Sequence, residues 1–175
     1  FALVPKEEIF AQTGIAFNWF NTLYQLLSAK LSGDTALKNA KTLLFIPDLF
    51  NFFLTGEKRT EYTIASTSQM YDSAKGDWAY DLLNKLGLPT DIFADMIYPG
   101  ETVGKVRAEL AEELGIEQVP VIAAASHDTA SAVASVPVTD GDDFIYVSSG
   151  TWSLMGVELK EPNVSDGALK YNFTN

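Results

Sequence analysis

The sequence predicts an α/β protein in which helices fill the first half and strands enter late. Three observations carry that expectation: glycine-terminated amphipathic runs as far as Gly115, one continuous apolar run at Val119–Ala125, and two short β-rich runs on either side of Ser148–Thr151.

The helical part is justified segment by segment. Pro5 suits a first helical position, Glu7 and Glu8 behind it complement the positive helix end, and Gly14 closes the segment. From Asn18 onward Trp19, Leu23, Leu26, Leu27 and Leu31 recur at helical spacing as far as Gly33, which predicts one buried stripe. A short helix follows from Asp34. Pro47 to Thr55 is nearly apolar all round, so it is expected as a buried helix, with Phe45, Phe50, Phe52 and Phe53 in the core rather than walling a ligand. Thr60 to Gln69 carries hydroxyls and small side chains and reads as a helix of weak propensity. Trp78 to Leu86 is amphipathic and stops at Gly87 and Pro89; Pro99-Gly100 makes a turn, and Arg107 to Leu114 is a helix closed by Gly115.

The pattern then changes. Val119 to Ala125 is too short for an ordinary helix and is read as a buried central strand that delivers Ser126, His127 and Asp128 at its exit. Small residues from Thr129 to Ala134 predict a closely packed helix, and Pro137 to Asp143 a linker. Phe144–Val147 and Trp152–Val157 read as two strands of a hairpin with Ser148–Thr151 as its turn.

Composition bounds the function. The 175 residues, 47% of them hydrophobic, are enough for a real core, and a net charge of -11 without any basic cluster argues against a nucleic-acid partner. The absence of cysteine removes disulfides and thiolate metal sites and suits a reducing cytoplasm, while the single histidine, His127, rules out a multi-histidine cluster within this chain. Leu43–Leu54, the longest apolar stretch, is interrupted by Pro47, Asp48 and Asn51 and falls short of the roughly 20 residues of a membrane helix, so no membrane partner is expected. The chain opens on Phe1 rather than Met, and its natural start is expected upstream.

Two short constellations can carry chemistry. Ligands in α/β sheets bind beyond strand C-termini, so a carboxylate at Asp128, with His127 and Thr129 beside it, stands where a substrate would arrive. The ordinary alternative is that Ser126 or Asp128 merely caps the following helix. At Ser148-Ser149-Gly150-Thr151 a glycine lets the backbone approach a phosphate while neighbouring hydroxyls hold its oxygens, with a ligand-free hairpin turn as the alternative. No Walker A pattern or G-x-G-x-x-G is present. The paired acids Glu7-Glu8, Glu112-Glu113 and Asp142-Asp143 are assigned to solvated surface.

Ile46–Gly56, Glu61–Gln69, Ser126–Val133 and Ser148–Gly156 resemble consecutive blocks of the FGGY carbohydrate kinase family, in the family's order, and Thr13–Phe17 with Asn21–Leu27 resemble its members that phosphorylate L-rhamnulose. The resemblance implies an actin-like, ribonuclease-H-like pair of domains closing on ATP with Mg2+ and on the sugar. Residues 1–138 would be the later part of the first domain and 139–175 the start of the second, both incomplete. Asp128 would be the base that takes the proton of the C1 hydroxyl, His127 and Thr129 sugar contacts, and Gly150 and Thr151 contacts to the ATP phosphates. A kinase for another ketose or polyol, or a non-catalytic sugar-binding domain, are the competing readings. The family's first phosphate hairpin and its adenine site are not among these residues, so the chain alone is expected to be inactive, and its unpaired edges to favour self-association.

Overall fold

The computed structural model describes residues 1–139 and 143–175; part of the linker expected over Pro137–Asp143 lies outside the described residues. In chain order come α1 (Lys6–Thr13), α2 (Thr22–Ser32), α3 (Thr35–Asn39), α4 (Ile46–Thr55), β1 (Thr60–Glu61), α5 (Tyr62–Thr67), β2 (Tyr71–Asp72), β3 (Asp77–Trp78) and α6 (Tyr80–Lys85). They are followed by β4 (Met96–Ile97), β5 (Thr102–Lys105), α7 (Ala108–Leu114), β6 (Pro120–Ile122), α8 (Asp128–Ala134), β7 (Ile145–Ser149), β8 (Ser153–Val157) and α9 (Asp166–Lys170). The strands pair two by two: β1 with β4 in parallel, and β2 with β3, β5 with β6 and β7 with β8 antiparallel.

The main core gathers Val4, Ile9, Leu23, Ala65, Met70, Trp78, Leu82, Leu83, Leu86 and Leu88 from α1, α2, α5, β3, α6 and the segments that flank them. A smaller cluster of Ile97, Val103 and Ala123 sits under β5 and β6. The glycine stops work as expected at α1, where Gly14 takes φ +65° and its amide closes on the Phe10 carbonyl.

Several sequence expectations are corrected. The stripe on α2 is only partly buried: Leu23 is in the core and Leu26 and Leu27 pack against it, but the helix starts at Thr22, which leaves Trp19 in the preceding turn, and both Trp19 and Leu31 face solvent. On α4, Ile46, Phe50, Phe53 and Leu54 are exposed, and the one buried residue is Asp48. A helix apolar all round buries only the sides that have neighbours; α4 lies against β5 and β6, and its outer side meets none. Thr60–Gln69 is split into β1 and α5, because Glu61 caps the helix, which starts two residues later than expected, at Tyr62. The strand expected over Val119–Ala125 is reduced to Pro120–Ile122. It pairs only with β5, and Val119 and Ile122 are half exposed, so it is neither central nor buried. The hairpin is shifted by one to two residues, with its turn at Gly150–Trp152.

The last residues return to the first loop. The amide of Ala16 donates to Thr174 Oγ1 and that of Phe17 to Asn172 Oδ1, while the amide of Asn175 donates to the Gly14 carbonyl. The Phe20 and Trp152 rings, 6.3 Å apart, add a second link between the start and the end of the chain.

Candidate active site

Glu61, a residue that the sequence reading left without a role, organises the site. Its side chain is 1% exposed, and its carboxylate accepts five hydrogen bonds. Three come from the start of α5: the Thr63 amide at 2.8 Å, the Thr63 hydroxyl, and the Ile64 amide at 3.3 Å. These make Glu61 the cap of a short helix whose first amides have no partner within the helix. The other two come from far along the chain, the Ser126 amide at 3.1 Å and the Ser126 hydroxyl at 2.6 Å. The Thr63 hydroxyl, turned towards Glu61, in turn accepts the His127 amide at 3.1 Å.

Below this clamp lies a second acid. Asp48, at the first turn of α4, is 2% exposed and accepts the Glu61 amide through Oδ1 at 3.0 Å. Burial pushes the Asp48 carboxyl up to about 6, with backbone hydrogen bonds pulling the other way and the Glu61 charge adding to the rise. For Glu61, burial is the largest single influence and pushes upward, yet the hydrogen bonds from Ser126 and Thr63 together outweigh it and leave its carboxyl below the usual range. Two neighbouring acids are thereby driven apart, Glu61 held as an anion and Asp48 drawn towards its neutral form.

Asp128 is the first residue of α8 and His127 its N-cap, with no side-chain cap bond. Among the described residues the Asp128 carboxylate has contacts only to its neighbours: the Thr129 amide at 2.7 Å, the Thr129 hydroxyl at 3.4 Å and His127 Nε2 at 3.5 Å. Its side chain is 97% exposed. The helix beyond is tied back by the Ser131 amide to the His127 carbonyl and by the Ser131 hydroxyl to the Ala125 carbonyl. Two concavities lie elsewhere, one of about 170 Å³ among Phe1, Val4, Leu23, Tyr24 and Leu86, the other of about 400 Å³ between Lys30, Lys38 and Pro89. Neither reaches Asp128, whose side chain is open to solvent with His127 and Thr129 beside it.

The second constellation is less built. Gly150 and Thr151 are exposed at the tip of the β7–β8 hairpin; the Gly150 amide is engaged by the Trp152 carbonyl, and the Ser149 and Ser153 hydroxyls face each other at 2.9 Å. Nothing lies within 4 Å of the point where a Gly150 side chain would begin, so a phosphate group has room to approach there. Contacts between α8 and β7 keep the hairpin near the Asp128 helix. Among the described residues no three metal-ligating side chains converge.

Glu61, Thr63 and Asp48 are the residues that sequence reasoning missed. The available signal was an acid immediately before a run of hydroxyl and small residues, Glu61-Tyr62-Thr63, which is a helix N-terminus signature hidden by reading the whole segment as one helix.

Residues 3–134 match the N-terminal domain of the FGGY family of carbohydrate kinases, and the chain belongs to that family. Over all 175 residues it is 45% identical to a rhamnulokinase of Oceanobacillus iheyensis, and over 97% of its length it is 46% identical to one of Halalkalibacterium halodurans. The chain spans 37% and 36% of those two relatives. Among solved structures, a carbohydrate kinase from Novosphingobium aromaticivorans superposes on 89% of the chain with a TM-score of 0.72 at 26% identity. A xylulose kinase from Rhodospirillum rubrum does so on 82% with a TM-score of 0.70 at 25% identity. The chain covers 34% and 30% of those two structures. No helix among the described residues is long and apolar enough to cross a membrane.

Proposed function

We propose that this chain is part of a longer cytoplasmic kinase that transfers the γ-phosphoryl group of ATP to the C1 hydroxyl of L-rhamnulose. The observation that carries the reading is the 42–46% identity to rhamnulokinases along practically the whole chain, with Asp128 at the start of α8 inside the matched region. Asp128 receives the proton of the attacking hydroxyl, His127 and Thr129 hold the sugar, and Gly150 and Thr151 meet the ATP phosphates. Phosphoryl transfer asks mainly for positioning, so the proton transfer to Asp128 is a small part of the barrier. Mg2+ would arrive with the nucleotide and supply counter-charge on its phosphates. The open setting of Asp128 fits a residue facing a space between two domains, with the opposite wall outside these residues.

Residues 1–138 act in this reading as the later part of the first domain and 139–175 as the start of the second. The chain by itself is therefore inactive, and the outward face of α4 is where isolated copies would associate, which light scattering reads. Replacement Asp128→Asn in the complete kinase is expected to lower kcat by about a hundredfold or more while sugar binding, measured by calorimetry, persists. Unchanged turnover would remove Asp128 from the mechanism.

A further inference from the structure

We propose that Glu61 is a positioning residue for the transfer step: its buried carboxylate fixes the backbone of residues 126–127 and thereby aims Asp128. This rests on the assignment of Asp128 as the base. Among the described residues the Asp128 side chain meets only residues 127 and 129, so its direction follows the backbone of its own segment. That backbone is held at two successive amides, and both trace to one group. Ser126 donates to Glu61 directly, with amide and hydroxyl, and His127 donates to the Thr63 hydroxyl that Glu61 orients.

Glu61 can serve as an anchor because it is itself fixed. Its amide is tied to Asp48, its strand β1 pairs in parallel with β4, and its side chain is closed off from solvent. An ionised acceptor that gathers several donors gives bonds about twice as strong as neutral ones. Capping α5 alone would explain the bonds to Thr63 and Ile64, as it would for any short helix. It does not explain why the same oxygen, Oε2, also accepts both Ser126 donors from 65 residues away.

The test uses the complete kinase. Glu61→Gln keeps the size but places an NH2 group where one carboxylate oxygen accepted, and it removes the charge from the rest. A displacement of about 1 Å at a reacting group costs on the order of a hundredfold, so kcat is expected to fall roughly ten- to a hundredfold while KM for ATP stays within about twofold. Hydrogen exchange at the Ser126 and His127 amides is expected to speed up, with Leu82 and Leu83 unchanged.

Thr63→Val, which removes only the relay to His127, should lower kcat several-fold, and Thr63→Ser should restore it. A kcat within twofold of the parent in Glu61→Gln overturns the proposal. So does a loss of activity accompanied by faster exchange throughout the core, which would mark a purely structural residue. If Asp128→Asn abolishes turnover and Glu61→Gln does not, this inference alone falls; if Asp128→Asn leaves turnover intact, the assignment of the base falls with it.

Discussion

Segments 126–129, at the start of α8, and 148–151, at the end of β7, are both short and polar, yet one is tied into the body of the protein and the other to its own hairpin. Ser126 is bonded to the almost wholly buried Glu61 carboxylate some 65 positions earlier, and His127 to the Thr63 hydroxyl beside it. Ser149 and Gly150 are bonded to Ser153 and Trp152, within their own hairpin. A group that must be aimed at a reacting oxygen needs an external reference frame, because misplacement at the reacting centre is costly. A loop that meets a phosphate through backbone and hydroxyls can move as a unit with its ligand.

The largest difference should appear on removing one hydroxyl from each segment. The Ser126 hydroxyl donates to an ionised carboxylate in a partly buried setting, a kind of bond worth about 1.5–3 kcal/mol. Ser126→Ala should therefore lower the unfolding free energy by an amount near the bottom of that range, read by urea denaturation. Ser149→Ala, whose exposed hydroxyl meets only Ser153, should stay within about 0.5 kcal/mol. Equal losses in the two variants would erase the distinction drawn between the segments.

A smaller and more specific effect is the opposite pH response of the two acids under segment 126–129. Asp48 binds its proton more tightly in the folded state than its ordinary value of 3.8 allows, so the folded chain holds more proton than the unfolded one up to about pH 6. Stability from this group thus declines as pH climbs from about 3.8 through about 6. Glu61 is shifted the other way: its contribution is full above its ordinary value of 4.5 and is lost as pH falls through its lower folded value. Thermal melts across this range should show Asp48→Asn flattening the decline on the alkaline side, while Glu61→Gln removes the loss on the acid side. An unaltered profile in Asp48→Asn would mean that burial does not control that carboxyl.

The contrast between the segments also explains what could be read in advance. The helices ended by Gly14, Gly33, Gly56 and Gly115 were legible because capping is local: the glycine and the helix it ends are neighbours in the chain. The hairpin was legible for the same reason. The burial of α4 and of Val119–Ala125 was not, since apolar composition states what a segment could bury but not whether a neighbour is present to cover it. The candidate residues His127, Asp128 and Thr129 do share one helix start, as their adjacency requires. What holds them, Glu61 and Thr63, is separated from them by more than sixty residues, and no periodicity or motif spacing reports a contact of that range.

The smallest expected effect on the fold belongs to Gly150. Its φ lies outside the left-handed region and the space beside it is empty, so Gly150→Ala meets neither strain nor a clash and should leave stability within about 0.5 kcal/mol. That neutrality makes it a clean probe of the hairpin's role, because any change in the complete kinase then reports on what approaches the turn. If phosphate oxygens pass over this backbone, the added methyl group stands in their way. KM for ATP should rise several-fold, with kcat and KM for the sugar little altered. Sensitivity of the sugar KM instead would place the turn against the other substrate, and the segment would then need a reference frame that its bonds to Ser153 and Trp152 do not provide.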